Sequence, residues 1–144
     1  DVFYIGGTKC GALFGEAVVF PKPDTVPHFF SIVKQNGALL AKGRVLGLQF
    51  DTLFTDGLYE RGGAHAITMA DRIRAALTEK GYRLASDAPT NQIFLVLDEA
   101  QKTRLSKHVE MGFWENLADG KTVMRIATSW ATQDEDVDRL IALL

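Results

Sequence analysis

Hydrophobic residues along this chain follow three spacings, and each spacing predicts a different kind of element. Near the start, Val2 to Ile5 and Ala12 to Phe20 are almost unbroken apolar runs. Such runs predict strands, the second of them buried, with Gly6-Gly7 opening a tight turn between the two. Pro21, Pro23 and Pro27 stop the second strand, because proline has no N–H to give to a ladder. From His28 to Glu60 the spacing changes to threes and fours, through Leu39, Leu40, Leu46, Phe50, Leu53, Phe54 and Leu58. That predicts helix with apolar residues on more than one face, as in a buried or interface segment. Gly62-Gly63 is expected to break it. A second helix then carries Ile67, Ala70, Ile73 and Leu77 on one stripe and stops at Gly81.

The last third alternates short strands and helices. Ile93 to Leu97 reads as a strand and Glu99 to Val109 as a helix. Met111 to Leu117 and Lys121 to Thr128 read as two strands joined through a hairpin at Asp119-Gly120. Thr132-Gln133-Asp134-Glu135 has the spacing of a capping box, and Val137, Leu140, Ile141 and Leu144 form the stripe of a final helix. Two helices beside a small, largely antiparallel sheet predict an α+β unit from about residue 82 to the end.

Composition then narrows the function classes. Sixteen Lys and Arg against 18 Asp and Glu give a formal charge of −2 over 144 residues. A nearly neutral chain is not built to hold nucleic acid by bulk electrostatics, and no polybasic run suits a membrane surface. The stretch from Ala12 to Phe20 is interrupted by Glu16 and is too short to span a bilayer. Cys10 stands alone, so no internal disulfide forms, and three scattered histidines do not complete a zinc site with it. The expected setting is reduced and cytoplasmic, with no metal, nucleic acid or membrane partner. His28, His65 and His108 are read as structural. The chain opens at Asp1 in mid-strand, which raises the expectation that it is a piece of something longer.

Gly6-Gly7-Thr8-Lys9-Cys10-Gly11 is the richest local signal for chemistry. Its spacing fits neither a phosphate-binding P-loop nor a dinucleotide fingerprint, and Cys10 has no histidine nearby to activate it. What remains is Lys9, in a glycine turn between two apolar strands. Flanking Phe3, Ile5, Ala12 and Leu13 would place the amine in low dielectric, which favours its neutral, nucleophilic form. An ordinary exposed turn lysine fits the same pattern. On the strand from Val123 to Ala127, Met124 and Ile126 point one way and Arg125 the other. If the first two pack on helices, Arg125 faces away from them. A planar guanidinium there suits a carboxylate, or is simply solvated.

Several segments together resemble one family. Asp1 to Ala12 with Gly15 to Phe20, then Gly37 to Arg44, Pro89 to Phe94, Phe113-Trp114-Glu115 and Arg125 to Thr132 are similar, in that order, to the threonine aldolase and β-eliminating lyase family. These are fold-type-I enzymes that depend on pyridoxal phosphate. The resemblance implies an α/β fold overall. Residues 1–24 would end the large cofactor-binding domain, 25–81 would be linking and interface helices, and 82–144 an α+β C-terminal small domain. It further implies Lys9 as the Schiff-base lysine and later proton carrier, and Arg125 as the grip on the substrate α-carboxylate. Lys42 and Arg44, with Lys34 nearby, would lie close to the cofactor or across a subunit boundary. The implied reaction is aldol cleavage of threonine or allo-threonine to glycine and acetaldehyde, in a homodimer or homotetramer. Family members are more than twice this length. The groups that hold the pyridine ring and its nitrogen are therefore expected before Asp1, and the 144 residues alone are expected to be inactive. Two other readings stay open: a β-eliminating amino-acid lyase on the same scaffold, and a non-catalytic α+β interaction module.

Overall fold

A computed structural model describes residues 1–144, which divide into two compact units, Asp1–Glu60 and Arg61–Leu144. In the first, β1 (Phe3–Gly6) and β2 (Glu16–Val19) pair antiparallel in a two-stranded ribbon, with Phe3 opposite Val19 and Gly6 opposite Glu16. A 3-10 turn, Thr8–Cys10, lies between them. Two helices follow, α1 (Phe29–Gln35) and α2 (Arg44–Phe54). The buried strand expected over residues 12–20 is therefore shortened and largely exposed. Gly11 and Gly15 adopt left-handed angles, φ 116° and 87°, which bend the chain before pairing begins. Leu13, between them, is 84% exposed.

The helical stretch also breaks elsewhere than expected. Gly62 and Gly63 lie inside α3 (Leu58–Glu79), a single helix of 22 residues. Helix-interior glycines cost about 1 kcal/mol each against alanine, which a helix packed along its length tolerates. The interruption comes instead at Thr55–Gly57, where Asp56 and Gly57 both take left-handed angles. The end of α3 is as expected. Gly81 has φ 77°, its N–H donates to Thr78 O, and the Tyr82 N–H donates to Leu77 O. Those two bonds form a Schellman motif.

The second unit is an antiparallel sheet under helices. Its strands are β3 (Arg83–Leu84), β4 (Gln92–Leu97), β5 (Gly112–Asn116) and β6 (Thr122–Ala127), in the order β3-β4-β6-β5. Its helices are α4 (Glu99–Leu105), α5 (Asp134–Leu143) and most of α3, so the α+β unit expected over residues 82–144 here contains α3 as well. Strand alternation turns one set of side chains toward the helices, while Val96 and Val123 on the opposite face are buried too. Ile93, Leu95 and Leu97 of β4 and Met124 of β6 join Met69, Ala70, Ile73 and Leu77 of α3 in one core, closed by Leu105 and Val137. Each such buried Leu, Ile, Val or Met side chain contributes about 1.5–3 kcal/mol. The hairpin at Asp119-Gly120 forms, with Gly120 at φ 81° and the Leu117 N–H donating to Lys121 O.

The capping box is the one local motif that lies elsewhere. Gln133 precedes α5 without a side-chain cap, because Thr132 Oγ1 accepts from Ser129 N instead. Reciprocal capping is found at α4. The Asp98 carboxylate accepts from Gln101 N, and Gln101 Oε1 accepts from Asp98 N. The acidic first turn of α5 nevertheless finds cations, since Arg72 of α3 pairs with Asp134 and Asp138. No helix is long and apolar enough to cross a membrane.

Candidate active site

Lys9 sits in the middle of the 3-10 turn, and the turn is fastened at both ends. Its own bonds come first: Gly7 O accepts from Cys10 N at 2.9 Å and from Ala12 N at 3.0 Å. Gly7 is buried because its Cα lies against Ala12 and the Phe50 ring. A Cβ there would fall 2.7 Å from Ala12 Cβ and 3.0 Å from Phe50 Cζ, so only glycine fits without displacement. Helix α2 presents Leu46, Gln49 and Phe50 to this stretch, spaced as one helical face. Gln49 Oε1 accepts from Leu13 N at 2.7 Å, and Gln49 Nε2 donates to Phe14 O at 3.4 Å. On the other side, the Tyr59 hydroxyl donates to Gly6 O at 2.9 Å. Burial and the neighbouring Cys10 thiol push the Tyr59 phenol above its ordinary pKa.

The expected apolar envelope around the lysine is not formed by these residues. Lys9 is exposed, and Phe3 and Leu13, counted as its walls, are exposed too. Glycine does keep the approach open, for nothing lies within 4 Å of where a Gly6 Cβ would be. Lys42 and Arg44 stand at the start of α2 in the same unit, and both are exposed. Lys42 holds a left-handed φ of 62°. It borders a cavity of about 310 Å³ lined by Phe14, Leu40, Val45 and Leu46 among others. The α2 start is not an open row of donors: Val45 N already donates to Lys42 O and Leu46 N to Gly43 O. Lys34 lies in the last turn of α1 and is exposed.

Arg125 belongs to the second unit, and its surroundings are specific. Met124 lies in the core and Ile126 packs against it, so Arg125 faces the sheet side away from the helices, as alternation requires. Across the ladders it pairs with Phe94 on one side and Gly112 on the other. Trp114, at the β5 bulge between Phe113 and Glu115, has its ring centre 5.8 Å from Arg125 Cζ. Phe94 meets the same ring edge-on at 4.9 Å. Arg125 Nη1 donates to Gln92 Oε1 at 3.3 Å. No carboxylate lies within ion-pair distance of this half-buried guanidinium, whereas Arg72, Arg74 and Arg139 all have acidic partners. Nor does the sequence announce Gln92, Trp114 or Gln49 as neighbours of the candidate residues, since bulge and helix register arise only on folding.

Asn91 Nδ2 donates to Thr128 O at 2.7 Å, and Thr128 N donates to Asn91 O, tying the start of β4 to the end of β6. A ring nitrogen of His65 lies 2.7 Å from Thr132 O, and His28 precedes α1.

No protein-family model matches the chain. A low specificity L-threonine aldolase from a Pseudomonas species is 30% identical over 143 residues, which are 99% of this chain and 40% of that protein. Another, from Pseudomonas aeruginosa, is 32% identical over 142 residues, 97% of this chain and 40% of that protein. The structure of Leishmania major threonine aldolase superimposes with a TM-score of 0.92 at 40% identity, over 99% of this chain and 42% of the other. A structure of SPT with its PLP internal aldimine has the same fold at a TM-score of 0.65 and 14% identity, over 99% of this chain and 38% of the other. The chain spans about two fifths of the length of the curated relatives it matches. In sequence and in fold alike, it is similar to the C-terminal portion of threonine aldolases, with the fold-type-I architecture.

Proposed function

We propose that this chain carries the lysine and the carboxylate grip of a pyridoxal-phosphate-dependent enzyme that cleaves threonine or allo-threonine to glycine and acetaldehyde. The observation that supports it most is Arg125, a half-buried cation with one amide partner and no acidic one. A guanidinium with no acidic partner keeps donors free for an anion, and an α-carboxylate matches its two-pronged geometry.

The fit to the cofactor is judged on the turn. Gly6 has open space where a Cβ would stand, Lys9 is exposed, and Gln49 and Tyr59 hydrogen-bond the backbone on either side of the turn. Pyridoxal phosphate, when bound, supplies an aldehyde for an amine and a sink for the electrons of the broken bond. Lys9 would be the amine that holds the cofactor, and its Nζ would carry a proton during turnover. Arg125 binds the substrate carboxylate and thereby fixes which bond at the α-carbon faces the sink. Lys42 and Arg44 are proposed to contribute positive charge near the phosphate or at a subunit boundary. Groups that stack on the ring and pair with its nitrogen are proposed to lie outside the 144 residues, with the whole protein a cytoplasmic homodimer or homotetramer.

The test is made in the complete polypeptide that carries this chain. Arg125→Lys should weaken threonine binding by about 1.5–3 kcal/mol, and Arg125→Ala by more, with cofactor binding nearly unchanged. If Arg125→Ala leaves both kinetic constants for threonine cleavage at their original values, the carboxylate role is wrong. Sound threonine binding with elimination in place of aldol cleavage would favour the β-eliminating lyase.

A further inference from the structure

We infer that Gln92 and Trp114 are the positioning residues of Arg125, and that Gln92 is an amide so that the guanidinium is held without being neutralised. The inference rests on Arg125 receiving the substrate carboxylate. Its evidence is the arrangement around the side chain.

Three neighbours constrain the guanidinium, and none of them is charged. Gln92 Oε1 takes one Nη1 hydrogen at 3.3 Å, from the start of β4. The Trp114 ring lies 5.8 Å from Cζ, and Phe94 braces that ring edge-on at 4.9 Å. Gly112 stands opposite Arg125 on β5, where a Cβ would come within 3.5 Å of Nε. A Cβ at 112 would therefore lie in van der Waals contact with the guanidinium. Trp114 is two residues from Gly112, so alternation puts it on the same face as Arg125, and the β5 bulge falls at this position.

The charge of this surround is what a binding site needs. A long arginine side chain has many rotamers, and ordering one on substrate arrival costs binding free energy. An aromatic face and an amide oxygen order it beforehand. Both attract the cation more weakly than a carboxylate does, so most N–H donors stay free for the incoming anion. A glutamate at 92 would keep the same shape and the same bond, but would become the competing anion.

That distinction sets the experiment, in the complete, cofactor-loaded polypeptide with threonine as substrate. Gln92→Glu should raise KM about tenfold or more with kcat within about twofold. Trp114→Leu should raise KM about threefold, and Trp114→Phe, which retains a ring, should recover most of that loss. In an Arg125→Ala background the same substitutions at 92 and 114 should have no further effect on KM. If Arg125→Ala raises KM but Gln92→Glu and Trp114→Leu do not, the positioning roles are wrong while the carboxylate grip stands. Effects that persist undiminished in the Arg125→Ala background would assign the two residues to the sheet alone and overturn the inference. If Arg125→Ala itself leaves KM unchanged, the underlying reading fails first.

Discussion

Replacing Gln49 with leucine removes the clasp on the lysine turn while keeping the bulk of the side chain. Two bonds are lost, one from Leu13 N at 2.7 Å and a longer one to Phe14 O at 3.4 Å. A net hydrogen bond contributes about 1 kcal/mol, and Leu13 is so exposed that water replaces much of what is lost. The local opening free energy should therefore fall by about 1 kcal/mol, and the Leu13 amide should exchange with deuterium about five times faster. The amides of Cys10 and Ala12, which bond Gly7 O rather than Gln49, should change less. Gln49→Glu separates the two bonds, because a carboxylate still accepts from Leu13 N but cannot donate to Phe14 O. Leu13 protection should survive in that variant. Hydrogen exchange resolved to single amides in the intact chain measures this directly. Unchanged Leu13 exchange in Gln49→Leu would mean that α2 does not hold the turn, and that Lys9 is placed by something else.

Other perturbations probe different parts of the fold. Tyr59 has its pKa raised by burial and by Cys10, so the folded state keeps the phenol proton longer than the unfolded chain does. Its stabilising effect is complete below about pH 10 and is lost as pH rises from there through the folded value. Tyr59→Phe should cost about 1 kcal/mol at neutral pH and should flatten the alkaline fall, as denaturant titrations at several pH values would reveal. Gly81→Ala forces a Cβ into φ 77° and should destabilise the second unit by about 1 kcal/mol, read from the shift in its melting temperature. Residues 1–60 expose many large apolar side chains, Tyr4, Leu13 and Phe30 most of all, and bury few. The 144 residues expressed alone should self-associate, and sedimentation showing a clean, cooperatively melting monomer would contradict that.

Legibility in the sequence followed how local each determinant is. Strand alternation placed Met124 and Ile126 inward and Arg125 outward, because a period of two is fixed by backbone geometry alone. Gly81 and Asp119-Gly120 were equally legible, since left-handed angles require glycine at those positions. Gly62-Gly63 misled because propensity is weak against packing, and α3 buries Ala66 to Leu77 further along. Thr132 misled because its hydroxyl had a second local use in the Ser129 turn. Lys9 was conspicuous, yet its supports were not. Gln49 lies 36 residues from Leu13 in sequence, and Tyr59 lies 53 from Gly6. Trp114 lies on the face of Arg125 only once β5 pairs with β6 in the register that sets Gly112 opposite Arg125.

The functional claim depends on Lys9, and reduction of the loaded protein with borohydride tests it most directly. Pyridoxal phosphate added to the complete polypeptide should give a visible absorbance, and borohydride should then fix the cofactor irreversibly. Peptide mapping should find the adduct on Lys9, and Lys9→Ala should abolish threonine cleavage. An adduct on another lysine, or no adduct in a protein that still cleaves threonine, would contradict the assignment of Lys9 and the proposed function with it.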